Sequence, residues 1–130
     1  MITWPSELPV LTSGGLLMRT WATGDEQRVF EIAVSLHHIN EFDHWAEIGY
    51  WTSPTVRGQG LTSLAVRLVT DFAFSIGFRR VHAVVDPDNI ASQKVLDKAD
   101  FTYESTMTHG ITRRNGTQVD AMLYAAFPAS

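Results

Sequence analysis

The chain has 130 residues, 45% of them hydrophobic and 18% charged, with a formal net charge of -4 and no cysteine. That is one domain's worth of chain with an ordinary globular composition, and it carries no electrostatic footprint for a nucleic-acid partner. Lack of cysteine excludes a disulfide framework, a thiolate metal site and an acyl-cysteine intermediate, and the lack of a membrane-length apolar run or a basic-then-apolar leader leaves cytoplasm as the expected compartment, with no membrane partner.

Residues Met1 to Gly15 hold Pro5, Pro9, Gly14 and Gly15 among short apolar pieces, which predicts an irregular lead-in with one short edge strand around Val10. Leu16 to Trp21 reads as a strand, and the T-G-D-E after it as a turn. Over Arg28 to His38, Phe30, Ile32, Val34 and Leu36 alternate as in a strand, whereas Val29, Ile32, Ala33 and Leu36 would line a helix. The strict alternation, interleaved with Glu31, Ser35 and His37, favours the strand. A turn is expected at Asn40 to Asp43. Trp45 to Thr52 is the next strand, with Glu47, Gly49 and Trp51 on one face and Ala46, Ile48 and Tyr50 on the other.

Tyr50 to Phe78 is the stretch around which the rest is organised: the end of a strand, a polar turn with Gly58 and Gly60, and a long amphipathic helix. From Leu61 the apolar residues Leu64, Ala65, Leu68, Val69, Phe72, Ala73 and Ile76 make a helical stripe, and Gly77 stops it. A strand that turns through glycines into a helix gathers unpaired N–H groups and positive potential at the helix start, a geometry that binds phosphate. Gly58 and Gly60 allow close approach of an anion, and Arg57 could add a charge-assisted bond. The plain alternative is that any strand-to-helix turn can contain glycine and arginine. Common nucleotide loops do not fit: the P-loop pattern is absent, and Ser63 stands where a G-x-G-x-x-G motif needs its third glycine.

Beyond the helix, Arg80 to Asp86 suits a buried parallel strand, and D-P-D-N breaks the chain and offers a cap for a helix over Ile90 to Ala99. Phe101 to Thr108 and Val119 to Phe127 read as two strands joined near R-R-N-G, with Asn115-Gly116 as a hairpin-turn signal. The histidines carry no metal signal in this reading. His37 and His38, adjacent on a strand, should point to opposite faces, and His44 and His82 have no carboxylate or cysteine at ligand-like spacing. Trp4, Trp21, Trp45 and Trp51 read as core or edge packing.

The segment A-E-I-G-Y-W-T-S-P-T-V-R-G-Q-G-L-T, then the helix, then R-R-V-H-A-V-V-D-P-D-N-I-A-S-Q-K-V-L-D-K-A-D-F, resembles the GNAT superfamily of acetyl-CoA-dependent N-acetyltransferases, especially its RimJ/RimL branch. That superfamily's acyl-CoA signature is Gln or Arg, two residues, Gly, one residue, then Gly or Ala. Arg57, Gly60 and Thr62 occupy the three positions, the last as a departure. The resemblance rests on order and spacing over Trp45 to Phe101 together with the hairpin that follows.

What the resemblance implies is a single mixed α/β domain: a mostly antiparallel twisted sheet with one splayed parallel pair and two main helices. It implies acetyl-CoA as co-substrate, no metal, and a primary amine as acceptor, either a protein N-terminus or a small molecule. Cofactor contacts fall on Trp51, Thr52, Arg57, Gly58, Gln59, Gly60, Leu61, Thr62 and Asn89. Glu47 matches the place of the base in some members, directly or through a water, against the plain alternatives of an exposed strand-face glutamate or one paired with a neighbouring histidine. Ser92, one turn after Asn89, matches a serine assigned as acid in the RimL-like branch, although a serine near a helix start often only bonds solvent or backbone. Leu96 stands where many relatives place a tyrosine acid. Asp100 replaces the glycine usual after the last helix, where a left-handed backbone is expected. Relatives commonly carry two helices between their first two strands. Here L-L-M-R-T-W-A-T-G-D-E-Q-R-V-F-E resembles the opening strand and first helix, whereas S-L-H-H-I-N resembles the strand just before A-E-I-G-Y-W; either way the N-terminal helical part reads as shortened or missing, and a second copy could cover the apolar sheet surface left behind. An acyl-CoA-binding or regulatory protein that has lost catalysis is the alternative, and an unrelated module with a chance R-G-x-G a third.

Overall fold

The computed structural model describes residues 1–14, 16–20, 31–58 and 60–129. Two short strands, β1 (Leu11–Ser13) and β2 (Leu16–Met18), pair antiparallel. The larger sheet takes β3 (Ile32–Asn40), β4 (Trp45–Thr52), β5 (Arg80–Val85), β6 (Thr102–Thr112) and β7 (Gln118–Ala126) in the order β3-β4-β5-β7-β6. Helix α1 (Leu61–Ser75) joins β4 to β5, and α2 (Ile90–Lys98) joins β5 to β6. The architecture is the mixed α/β arrangement expected: every neighbouring pair in the sheet is antiparallel except β4 and β5.

That parallel pair is short. Its register holds for Trp45–Arg80, Ala46–Val81 and Glu47–His82, after which the two strands part. Past that point β4 stays with β3 through Thr52 and β5 with β7 through Val85, so a gap lies between them before β4 leads through a 3-10 turn (Pro54–Val56) into α1. Parallel strands need such a crossover, and here the crossover helix lies on the sheet's inner face. Ala46, Ile48, Val81, Ala83, Val85 and Tyr124 meet Val66, Ala73, Leu96 and Phe101 in one core.

The face of α1 turned inward is rotated from the expected stripe. Thr62, Ser63, Ala65, Val66, Thr70 and Ala73 are buried, whereas Leu64, Leu68, Val69 and Phe72 are only half-buried. Thr70 can sit at zero exposure because its hydroxyl donates to the Val66 carbonyl oxygen at 2.7 Å. At the far end Gly77 has φ 117, and a side chain there would strike the Met1 carbonyl oxygen at 2.6 Å. The N-terminal lead-in therefore closes that end, with Thr3 N–H donating to the Ile76 carbonyl at 2.8 Å.

Helix α2 ends one residue earlier than the sequence suggests, with Ala99 as its cap. Phe101 N–H bonds the Leu96 carbonyl and Asp100 N–H the Asp97 carbonyl, the paired bonds of a Schellman ending, and Asp100 takes φ 65. Other boundaries also move. β3 runs through Asn40, whose side-chain oxygen accepts from Asp43 N–H at 2.8 Å, so the turn occupies Glu41 to His44. β1 begins at Leu11, just past Val10. β6 continues four residues beyond Thr108, to Thr112. β2 covers the start of the Leu16 to Trp21 strand; Trp21, the T-G-D-E turn, the Arg28 to Phe30 portion of the next strand and the first-helix alternative lie outside the described residues. Ile32 to Asn40 is strand, as the alternation predicts.

Candidate active site

The turn from β4 into α1 begins with Ser53, whose side chain caps the 3-10 turn, and ends with Gly60 as the residue before α1. Gly58 and Gly60 have φ of 82 and 75, a backbone region costly for residues with a Cβ, and a Cβ at either would meet nothing within 4 Å. Among the described residues no side chain caps the start of α1. Leu64 N–H reaches back to the Gly60 carbonyl at 3.2 Å, so the N–H groups of Leu61, Thr62 and Ser63 precede the first intrahelical bond. The sequence thus builds an uncapped helix mouth with open space beside it.

That mouth forms one wall of a cleft of about 490 Å³, and α2 forms the other. Of the residues expected to hold a cofactor, Trp51, Thr52, Arg57, Gly58, Gly60, Thr62 and Asn89 line it, and Ser92 does as well. Leu61 does not line the cleft, and Gln59 lies outside the described residues. Trp51 is 51% exposed at the rim. Arg57 donates to the Thr52 carbonyl oxygen at 3.4 Å. Thr62, the departure from the signature, is buried, and its hydroxyl engages that of Thr52 at 2.7 Å. Its branched side chain is accommodated by a partner one strand away, and one hydroxyl hydrogen of the pair stays available to a ligand.

Two lysines that the sequence reading passed over complete the cleft. Lys94 and Lys98 stand one turn apart on α2 and line it with Arg57, and no carboxylate appears among its described lining residues. In a chain of net charge -4 this concentrates positive potential in one place. The i, i+4 spacing of the two lysines after the Asn89 cap is the signal that could have found them.

Asn89 caps α2, its side-chain oxygen accepting from Ser92 N–H at 3.1 Å. The Ser92 hydroxyl is not simply solvated. It makes a short hydrogen bond to the Tyr50 hydroxyl, which also reaches the Ser92 carbonyl oxygen at 3.2 Å. Burial raises the Tyr50 pKa, and the Ser92 bond offsets part of that rise. Leu96, at the place of the missing tyrosine, is fully buried and contributes packing only. The start of α2 is anchored from the hairpin: Arg113 bonds both Asp86 oxygens at 2.8 Å and Asp88 at 2.8 Å, which holds the Asp86 carboxyl down to about 2.

Glu47 lies on the opposite face of β4 from Tyr50, at the last paired position before the strands part, and does not line the cleft. Here one expectation fails. His37 and His38 do not point to opposite faces, because β3 carries a register shift between His37 and Asn40, and His38 takes φ 47. Both rings reach Glu47: His37 Nε2 lies 3.0 Å from Oε2, and His38 Nδ1 lies 3.4 Å from Oε1. His82 also has a carboxylate neighbour, its Nε2 standing 3.7 Å from Glu47 Oε1 across the parallel pair. Spacing along the sequence cannot reveal a partner brought in by strand pairing. Burial and the nearby Arg80 guanidinium lower the His82 pKa.

A mixed sheet parted at one parallel pair, with an open helix mouth and a basic cleft beside the gap, defines the class of protein. Residues 14–102 match the model of the acetyltransferase (GNAT) domain. The chain is 42% identical over 71 residues to the probable N-acetyltransferase YjcK of Bacillus subtilis (strain 168), a match covering 54% of this chain and 36% of that protein. It resembles the structure of ribosomal-protein-S5-alanine acetyltransferase from Vibrio fischeri, with 28% identity and a TM-score of 0.69 over 74% of this chain and 53% of that one. It also resembles Mycobacterium smegmatis RimJ, solved in complex with CoA-disulfide, with 25% identity and a TM-score of 0.71 over 76% and 48% of the two chains. The chain belongs to the GNAT acetyltransferase family. It spans about half or less of the length of these relatives. Among the described residues no helix is long and apolar enough to cross a membrane.

Proposed function

We propose that this chain is an acetyl-CoA-dependent N-acetyltransferase acting on a primary amine, a protein N-terminus or a small-molecule amine, by direct attack. The observation that carries the proposal is the cleft: an uncapped helix mouth with two glycines at positive φ, faced by Arg57, Lys94 and Lys98. Such a surface suits the diphosphate of a CoA ester. In this reading the amides of Gly58, Gly60, Leu61 and Thr62 hold the diphosphate, and Asn89 with the main chain of Trp51 and Thr52 holds the pantetheine arm. That the RimJ relative was solved in complex with CoA-disulfide supports a CoA ester as the ligand class.

The chemistry then divides between the two faces of β4, with the gap beyond Glu47 and His82 letting them meet. The acceptor amine loses a proton to Glu47, directly or through a water, and its nitrogen attacks the thioester carbonyl carbon. The carbon–sulfur bond breaks, the departing thiolate takes a proton from Ser92, which Tyr50 stands behind, and the proton that the attacking nitrogen sheds on becoming an amide restores the serine hydroxyl. Tyr50 is a positioning residue in this scheme, since it acts through Ser92.

A second reading is a CoA-binding protein without transferase activity, favoured by the buried leucine at position 96 where relatives carry an acid. Calorimetry with acetyl-CoA and desulfo-CoA, with a thiol-release assay over amines and peptide N-termini, separates the two. Binding with turnover on at least one acceptor supports the transferase. Binding without turnover on any acceptor supports the second reading, and absence of binding overturns both.

A further inference from the structure

The side chains gathered around Glu47 have a coordination chemistry that acetyl transfer does not call for. One ligating atom from each of His37, His38 and Glu47 lies within 4.8 Å of the other two, which gathers two imidazoles and one carboxylate. A zinc ion with bonds of about 2.0 to 2.2 Å needs ligand atoms roughly 3.3 Å apart in a tetrahedron. Each imidazole already has one oxygen of the carboxylate at that spacing, His37 Nε2 3.0 Å from Oε2 and His38 Nδ1 3.4 Å from Oε1. The remaining adjustment falls on His38, whose side chain is 72% exposed.

Three further features favour a built site over a chance meeting of surface groups. His37 is held from behind, its Nδ1 3.2 Å from the Ser35 hydroxyl, an outer-shell contact of the kind that orients ligating imidazoles. Its ring crosses Gly49 closely, since a Cβ at Gly49 would meet His37 Cε1 at 2.8 Å, so the glycine makes room for the imidazole. His38 reaches the same face only through a left-handed backbone in the middle of a strand, a conformation that costs energy for a non-glycine residue. His82 is excluded as a ligand. Its Nδ1 accepts from Arg80 Nε at 3.2 Å, which puts the ring hydrogen on Nε2, facing Glu47.

We infer that His37, His38 and Glu47 form a binding site for a divalent transition-metal ion of the zinc class, with three protein ligands and a remaining position open to water or a small donor. Coordination takes up the Glu47 lone pairs, so metal occupancy suppresses acetyl transfer; that consequence rests on Glu47 being the base, whereas the binding itself does not.

The test uses the tag-free full chain, stripped with a chelator and without acetyl-CoA, titrated calorimetrically with Zn²⁺ and followed by visible absorption with Co²⁺. The expected result is one site per chain and a Co²⁺ spectrum of low-symmetry nitrogen and oxygen coordination. His38→Asn removes the ligand while keeping a residue that tolerates the left-handed backbone, and it should weaken Zn²⁺ roughly tenfold or more. Glu47→Gln should do the same, with thermal melts confirming that both variants fold. His109→Asn is the control, another histidine at positive φ, on β6, and should bind like wild type. No Zn²⁺ binding by wild type, or equal binding by wild type, His38→Asn and Glu47→Gln, overturns the site. CoA affinity measured on the same samples reports separately on the transferase reading, so failure of one is distinguishable from failure of the other.

Discussion

Replacing Gly60 by alanine separates backbone strain from ligand binding. At φ 75 a Cβ costs about 1 to 2 kcal/mol whatever surrounds it, and because nothing lies within 4 Å no steric cost adds to that figure. For a chain of this size the melting temperature should fall by roughly 3 to 8 °C. Gly116, in the hairpin turn, has φ 86 and equally open surroundings, so Gly116→Ala should cost about the same. The two variants differ in where the methyl group stands. At position 60 it enters the cleft mouth where an anion would approach the amides of α1; at position 116 it meets solvent. Displacing one charge-assisted hydrogen bond removes about 1.5 to 3 kcal/mol of binding, a loss of roughly 10-fold to 100-fold in CoA affinity. Calorimetry with CoA on both variants, beside their thermal melts, is the assay. Equal loss of stability with CoA affinity reduced only in Gly60→Ala is the expected pattern. Unchanged affinity in a folded Gly60→Ala protein refutes the reasoning.

The remaining predictions concern the other parts of the site and its frame. Tyr50→Phe and Ser92→Ala should each lower kcat by roughly 10-fold to 100-fold with little change in the KM for acetyl-CoA, and the double variant should be no worse than Ser92→Ala, since the two hydroxyls act in series; additive losses in a steady-state assay would contradict this. Asp100→Gly relieves a left-handed aspartate in the Schellman ending and should stabilise the protein by about 1 kcal/mol in a denaturant melt, whereas a loss of stability would mean the side chain makes a contact that matters more. Asp86 has a folded pKa of about 2, below its ordinary 3.8, so its ion pair with Arg113 contributes above the ordinary value and is lost as pH falls through about 2. Asp86→Asn should therefore flatten the acid limb of the stability curve in that window and leave the basic limb alone.

How much of this was legible before the structure depends on whether the cause was local. Gly58, Gly60 and Gly77 mark backbone conformations that glycine adopts readily, so the turn, the start of α1 and its end could be read in place. Asn89 and Asp100 are local in the same sense, a cap and a left-handed ending. The inward face of α1 was harder, because Thr70 looks polar and its burial depends on a hydroxyl turned back to Val66. The last residues of β6, H-G-I-T, carry no clean alternation because β6 is exposed along nearly all its length at the sheet edge, so its end could not be placed. The group around Glu47 was illegible for a different reason. It needs the β3 register shift to turn His38, the antiparallel register to set His37 beside Glu47, and the parallel register to bring His82 across. Tyr50 and Ser92, 42 positions apart, meet only because β4 and α2 pack on the same core.

The central claim is that main-chain amides at the mouth of α1 hold the diphosphate of a CoA ester, and amide chemical shifts read those groups directly. Titrating labelled protein with acetyl-CoA should move the amides of Gly58, Gly60, Leu61 and Thr62 most, with 3′-dephospho-CoA giving the same shifts there and smaller ones elsewhere. Binding that leaves those amides unmoved while others shift would place the diphosphate at a different site and contradict the claim.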